Sequence, residues 1–269
     1  MSLWEGIILG VIQGLTEFLP VSSSGHLVIA QSFIKGFRQP GVLFDVMLHF
    51  GTLLAVIFFL RRDLYEIVKA IIPKQPDNVD YALISIRRKT AVLIVVGTIF
   101  TSVIGFALKD KVHILFESVN VVAFMLLVTG VLLFLSDKVK NTEKFEKDMT
   151  ITDSIIIGIV QGIAIVPGIS RSGSTIAFGI FRKLDRETAA RFSFLLSIPA
   201  VIGAVILELR NIVFIPSSDL IIYIAATIAA LLTGFLSLKI LFLIIKKRGL
   251  GIFAYYCWFV GITTLLFNV

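Results

Sequence analysis

Residues 10–26 read GVIQGLTEFLPVSSSGH, an apolar segment broken at its middle by Pro20 and by the serines and glycine that follow. Residues 158–175 read GIVQGIAIVPGISRSGST and repeat the same pattern. Backbone groups freed by such a break are tolerated at membrane depth only where protein or a water-filled cavity satisfies them. The two stretches therefore predict two re-entrant helix hairpins, over segments 1–40 and 152–181, within an all-α integral membrane protein.

The composition supports a membrane domain that covers the whole chain of 269 residues. Hydrophobic residues make up 57%, charged residues only 16%, and the mean hydropathy is +0.97. Soluble domains carry about 45–50% apolar and about 25% charged residues. Besides the hairpins, six apolar runs have the length of roughly 17–25 residues that a transmembrane helix needs. These predicted crossings are residues 41–60, 90–108, 119–136, 192–208, 219–244 and 252–268.

The basic residues predict the orientation. Loops 61–89, 137–151 and 182–191 are rich in Lys and Arg, whereas the alternate loops hold few. Cytoplasmic loops carry the excess of basic charge, so the rich loops are predicted to be cytoplasmic and both termini outside. Residues 1–19 lack a basic n-region, so no cleavable signal peptide is expected. The net charge of +7 is thus explained by topology, and nucleic acid is not expected as a partner.

The two broken segments also predict an internal repeat. One constant offset pairs the following residues of the two stretches: Gln13 with Gln161, Ser22 with Ser170, Ser24 with Ser172, and Gly25 with Gly173. Each hairpin is followed by three crossings, and an odd number of crossings inverts the second copy. The chain is therefore predicted to be a single domain of two inverted halves, about 1–148 and 149–269, with a binding site near the membrane midplane.

The first hairpin holds several reactive side chains. Glu17 is a carboxylate inside an apolar segment, and Gln13 lies one helical turn before it on the same face. An ionisable group at membrane depth is by default a functional hypothesis. Ser22, Ser23 and Ser24 are followed at once by Gly25 and His26. A serine needs a neighbouring base to become a nucleophile, and His26 is the nearest imidazole in the sequence.

The second hairpin places Arg171 at its break, flanked by Ser170, Ser172 and Gly173. A guanidinium suits phosphate, and a Gly/Ser loop that opens a helix adds N–H donors. The carboxylate of Glu17 would repel a phosphate unless a divalent cation lay between them, which predicts Mg²⁺ or Ca²⁺. These residues predict a lipid phosphate site and leave open whether the lipid is hydrolysed or transported.

Three further polar residues lie within predicted crossings. Asp45 and His49 lie four residues apart, so that they line the same cavity or pair with each other. Lys239 lies near the inner end of its predicted crossing and is expected to extend its ammonium group to the interface.

Residues 13–26 resemble the first signature of the undecaprenyl-diphosphatase (bacitracin-resistance) family, and residues 167–175 resemble its second. Residues 44–55 are similar to the family's pattern more loosely. The resemblance implies hydrolysis of undecaprenyl diphosphate to the monophosphate, which recycles the lipid carrier of cell-wall synthesis and underlies resistance to bacitracin. It also implies a plasma-membrane protein, a divalent cation, an active site that opens to the outer face, and two interleaved inverted repeats.

On matching positions, the resemblance assigns Ser23 as nucleophile or direct phosphate contact, His26 as general acid or base, and Arg171 as diphosphate clamp. Glu17 would bind the metal or handle protons. The supporting phosphate donors would be Ser22, Ser24, Gly25, Ser170, Ser172, Gly173 and Thr175. The family allows Glu or Gln at position 13, and the Gln13 of this chain leaves the metal site a single carboxylate.

The main alternative is a polyprenyl-phosphate transporter or flippase, because inverted repeats with broken helices are typical of transporters. That alternative gives Ser23 and His26 no chemical task. A phosphatidic-acid-phosphatase type of site is excluded, since it requires a further His shortly after the Arg and none follows Arg171. The oligomeric state stays open, with a homodimer as one option.

Overall fold

A computed structural model of the chain describes residues 1–33, 42–72, 80–116, 118–209, 217–247 and 249–267. Within these ranges the regular elements are helical, and we number the α-helices in chain order: α1 Leu3–Phe18, α2 Ser23–Ser32, α3 Val42–Phe59, α4 Arg61–Ile71, α5 Tyr81–Phe116, α6 Val119–Asp137, α7 Ile151–Ile163, α8 Arg171–Phe181, α9 Arg186–Leu209, α10 Ser217–Lys247 and α11 Gly251–Phe267. The prediction of an all-α protein is confirmed.

Several helices are long and apolar enough to cross a membrane, as expected of a multi-pass protein. Four meet the requirement alone, within α5, α6, α9 and α10, and α3 with α4 makes a fifth if the pair, bent by 74°, counts as one span. The last predicted crossing forms α11, whose 17 described residues lie at the lower limit of a span. The predicted span ends at residues 41 and 268 lie outside the described residues.

Both broken segments consist of two helices with a short irregular connection, at the positions that the sequence predicts. α1 ends at Phe18 and α2 begins after the N-cap Ser22, whose φ is 69°. α7 ends at Ile163 and α8 begins after the N-cap Ser170. Gly168, with φ of 90°, supplies the left-handed backbone conformation of the second connection, which glycine adopts without steric cost.

The repeated glycines bring each broken segment close to a helix of the other half of the sequence. α1 packs against α10, and α7 packs against α5. At Gly10 a Cβ atom would collide with the backbone of Ala226 in α10, and at Gly158 it would collide with the backbone of Gly97 in α5. Small residues permit such close approach of membrane helices. The two stretches therefore share a packing function as well as a sequence pattern.

We expect Gly158→Ala to lower the free energy of unfolding by about 1–3 kcal/mol, the usual cost of forcing extra volume into a packed interface. The control is Gly105→Ala on α5, because nothing lies within 4 Å of the added Cβ atom there. Thermal unfolding of both variants in detergent measures the difference. Equal midpoints would contradict the close packing of α7 on α5.

Candidate functional site

The breaks of the two hairpins touch each other. A Cβ atom on Gly25 would lie 3.3 Å from the Cα of Gly168, and one on Gly173 would lie 3.1 Å from the Cβ of Pro20. The Ser172 hydroxyl donates across the contact to the carbonyl of Leu19 at 3.4 Å. Gly25 and Gly173, predicted as phosphate donors, thus also allow the two breaks to come together.

The same capping interaction begins both inner helices. The hydroxyl of Ser22 accepts a hydrogen bond from the N–H of Gly25 at 3.3 Å, and that of Ser170 accepts from the N–H of Gly173 at 3.0 Å. The first helical residues are then Ser23 in α2 and Arg171 in α8. Because the breaks are in contact, two helix N-termini lie near each other. A helix N-terminus favours a bound anion such as phosphate.

Glu17 is the centre of a buried hydrogen-bond cluster. Its Oε2 accepts from the Ser23 hydroxyl at 2.6 Å and from the Nε2 of Gln13 at 3.0 Å. Its Oε1 pairs with the Nη2 of Arg171. Only 7% of Glu17 is exposed, and Gln13 is fully buried. The carboxylate therefore holds the serine of one hairpin and the arginine of the other.

Two polar atoms of this cluster are buried and have no hydrogen-bond partner among the described residues. They are the Nη1 of Arg171 and the Oε1 of Gln13. Buried polar groups are nearly always hydrogen-bonded, so each such exception requires an explanation. A guanidinium donor and an amide acceptor suit a ligand with negative oxygens and an associated cation, respectively.

His26 points to a different neighbourhood. Its Nδ1 lies 2.8 Å from the Ser22 carbonyl, and its Nε2 lies 2.9 Å from the hydroxyl of Tyr256 on α11. The two rings are stacked, with centroids 5.6 Å apart. Neither ring nitrogen of His26 is hydrogen-bonded to Ser23 among the described contacts, so the hydroxyl of Ser23 has Glu17, and not His26, as its acceptor. Tyr256 was missed by the sequence analysis, since it lies in an ordinary apolar run.

The imidazole that lies beside the carboxylate belongs to His49 on α3. Its Nδ1 is 3.8 Å from the Oε2 of Glu17 and 3.1 Å from the Nε2 of Gln13. Of the two interpretations of His49, the one in which it lines the site agrees with this placement. The four-residue spacing between Asp45 and His49 was the sequence signal for His49. That spacing alone could not show that His49 contacts Glu17 and Gln13.

The remaining predicted donors mainly position the loops. The Ser24 hydroxyl lies 3.3 Å from that of Ser22. The hydroxyl of Thr175 donates to the carbonyl of Arg171 at 2.8 Å and also contacts Ser193. These contacts stabilise the first turns of α2 and α8, on which Ser23 and Arg171 stand.

Thr129 on α6 supports the second break from outside. Its hydroxyl donates to the carbonyl of Gly168 at 2.9 Å and accepts from the N–H of Ser170 at 3.0 Å. The sequence could not indicate that Thr129 supports this break, because its partners are backbone atoms of a segment distant in the chain.

The oxygen atoms of Gln13, Glu17 and Ser23 could contribute to a Mg²⁺ or Ca²⁺ site, since both ions prefer oxygen ligands. Among the described residues no group of three or more His, Cys, Asp or Glu side chains could hold a metal. The oxygen atoms of these three side chains therefore suit an ion whose other ligands include phosphate oxygens.

Comparison with known proteins gives one consistent result. The family described as "Bacitracin resistance protein BacA" matches residues 6–263. An undecaprenyl-diphosphatase of Halothermothrix orenii is 43% identical, with 99% of this chain and 98% of that protein covered. Undecaprenyl-diphosphatases of Syntrophotalea carbinolica and Methanosphaera stadtmanae are each 42% identical, with at least 97% of both chains covered.

Proposed function

This chain belongs to the bacitracin resistance protein BacA family, and on that basis we propose that it hydrolyses undecaprenyl diphosphate to undecaprenyl phosphate and phosphate. It is a multi-pass membrane enzyme whose relatives are named for this activity. The structural observation that carries the proposal is the Ser23–Glu17–Arg171 cluster at two helix N-termini. Neither the family nor the names of the relatives support the transporter alternative.

In the proposed reaction, the hydroxyl oxygen of Ser23 attacks the terminal phosphorus. The proton of that hydroxyl passes to Glu17, whose Oε2 lies 2.6 Å from it. The bond from phosphorus to the bridging oxygen breaks, and undecaprenyl phosphate leaves. Water then cleaves the phosphoserine and releases phosphate. General-base assistance of this kind typically contributes about 10²–10⁴-fold to a rate.

Arg171 is the proposed clamp for the diphosphate. Its Nη2 is held by Glu17, which orients the guanidinium, while its Nη1 has no described partner and can donate to a phosphate oxygen. The N-termini of α2 and α8 add favourable partial charges beside the same oxygens. Charge that moves onto these oxygens in the transition state is stabilised by donors that are already in place.

His26 remains a proposed general acid or base, and its contacts restrict how it could act. Because its Nε2 faces Tyr256, any proton it handles would be that of the leaving group or of water rather than that of Ser23. His49 is the alternative imidazole for this task, as it lies beside Glu17.

A divalent cation is proposed to be held by Glu17 and the Oε1 of Gln13, together with the substrate. When bound, it would offset the repulsion between the Glu17 carboxylate and the diphosphate. Gln13 and Glu17 face the same side of α1 and are already linked by a hydrogen bond.

We expect chelation by EDTA to reduce phosphate release to background and added Mg²⁺ or Ca²⁺ to restore it. Glu17→Gln should lower the rate by about 10²-fold or more, because Ser23 loses its proton acceptor. Full turnover in chelator would contradict the cation, whatever the effect of Glu17→Gln.

The proposed arrangement is six crossings and two re-entrant hairpins in two interleaved inverted halves. The packing of α1 on α10 and of α7 on α5 supports it, because each pair joins one half to the other. The protein would lie in the plasma membrane, with the basic loops in the cytoplasm and the site open to the outer face. Labelling of single cysteines in loops 61–89 and 182–191 from one side of sealed vesicles would test the orientation.

The function is tested by phosphate release from undecaprenyl diphosphate by the purified full chain in detergent with Mg²⁺ or Ca²⁺. We expect release by the natural protein. Tight lipid binding without any release would favour the transporter alternative.

A further inference from the structure

A recess with a volume of about 270 Å³ lies at the bend between α3 and α4, and none of the proposed catalytic residues lines it. Its walls are aromatic and its rim is basic. The lining residues are Phe58, Phe59, Arg61, Arg62, Phe235 and Lys239. The aromatic walls and the cations come from two separate elements, the α3–α4 bend and α10, so the recess depends on the packing of the fold.

The three cations of this recess are not used in ion pairs among the described residues, although acidic side chains lie nearby. Asp63 follows Arg62 directly, but it pairs with Arg87 and Arg191. Glu66 likewise pairs with Arg87. Arg61, Arg62 and Lys239 are exposed. The acidic face of α4 is thus neutralised by other helices, while the cations of the recess keep an uncompensated positive charge.

Lys239 is positioned by an aromatic ring. Its ammonium group lies 4.8 Å from the centroid of Phe235, one helical turn earlier on α10. A cation over an aromatic face is attracted to it and is held at that place. The ammonium group therefore lies beside the recess.

The recess also lies where an apolar helix meets a helix with basic and exposed apolar residues, which suits a membrane boundary. The apolar helix α3 ends at Phe59, and the chain turns by 74° into α4. α4 exposes Tyr65, Val68 and Ile71, side chains that suit acyl chains. A helix with exposed apolar side chains and basic residues is typical of the interface plane. The inference uses the proposed orientation, in which the basic charge of loop 61–89 places this end on the cytoplasmic side.

We propose that this recess binds the headgroup of an anionic phospholipid of the cytoplasmic leaflet. The phosphate lies among Arg61, Arg62 and Lys239, and the acyl chains follow the apolar surfaces of α3 and α4. Basic pockets between membrane helices on the cytoplasmic side bind acidic lipid headgroups through such charge complementarity. The inference concerns a second lipid site and does not depend on the reaction at Ser23.

Native mass spectrometry of the full chain in detergent tests the proposal, with phosphatidylglycerol titrated against phosphatidylcholine. We expect preferential retention of phosphatidylglycerol. Each of Arg61→Gln, Arg62→Gln and Lys239→Gln should weaken that retention about fivefold, the factor equivalent to the roughly 1 kcal/mol per basic residue near an anionic surface. Size-exclusion elution and thermal unfolding establish that each variant is folded.

The matched control is Lys138→Gln. The ammonium of Lys138 lies 4.3 Å from the ring centroid of Phe134, the same type of contact, but neither residue lines the recess. Unchanged phosphatidylglycerol retention is expected. Equal loss in the Lys138 control, or no preference for phosphatidylglycerol in the natural protein, would overturn the proposal. Displacement of the lipid by millimolar inorganic phosphate would assign the recess to a soluble anion instead.

Discussion

Ser23→Ala should lower the rate of phosphate release from undecaprenyl diphosphate by about 10³-fold or more, as expected for loss of a nucleophile. Ser23 donates its hydroxyl hydrogen to Glu17 at 2.6 Å and stands at the first position of α2. The alanine variant keeps the helix but leaves no oxygen to attack the phosphorus. Single-turnover measurements with saturating lipid distinguish this loss from weaker binding.

The control for Ser23 is Ser32→Ala, at the other end of the same helix. The Ser32 hydroxyl donates to the carbonyl of Ile29 and is exposed, so its loss should leave the rate unchanged. If Ser23→Ala retained more than a tenth of the natural rate, water rather than Ser23 would be the attacking group. Ser24→Ala should have a much smaller effect, since its hydroxyl contacts only that of Ser22 in the described cluster.

Arg171→Ala should reduce the rate by roughly 10³-fold, the lower range found for arginines that stabilise a transferring phosphoryl group. The guanidinium is bonded to Glu17 through Nη2, and its Nη1 has no described partner. Arg171→Lys should recover little, because an ammonium group lacks the planar fork that reaches both a carboxylate and a phosphate. Near-normal turnover of the lysine variant would show that Arg171 acts as a charge only.

A loss of stability could imitate this result, since removing one partner of a buried ion pair costs about 3–5 kcal/mol. The double variant Arg171→Ala with Glu17→Gln removes both charges and separates the two effects. Because Glu17→Gln alone already lowers the rate, the double variant is compared with that single variant. If the double variant unfolds at the natural temperature and is slower than Glu17→Gln, Arg171 has a catalytic effect of its own. A double variant as active as Glu17→Gln would mean that Arg171 only neutralises Glu17.

Much of the fold could be predicted from local sequence, because each prediction needed only one segment. Pro20 cannot continue the helix before it, and the Ser22 and Ser170 caps lie where the breaks were predicted. Apolar runs of sufficient length predicted the helices, and the 17 described residues of α11 lie at the lower limit of a span. The repeat placed Ser23 and Arg171 at equivalent positions of two hairpins, which is why both occupy the start of a helix.

The partners of the site residues were decided by the tertiary structure. The sequence suggested His26 as the base for Ser23 because the two are neighbours in the chain. In the structure, however, the His26 ring lies against Tyr256. The Ser23 hydroxyl donates to Glu17 instead.

The sequence by itself determined that this is an all-helical membrane protein with two broken segments, and it placed the candidate residues Ser23 and Arg171 at those breaks. Periodicity, hydropathy and capping are local properties, so they can be read from consecutive residues. The tertiary structure alone decided that Glu17 links Ser23 to Arg171 and that His49 joins them from α3. Arg171 is 154 residues from Glu17 in the chain, and Ser23 reaches Glu17 only across the turn between α1 and α2. These contacts form only when glycines allow the helices to pack closely and the two breaks to meet.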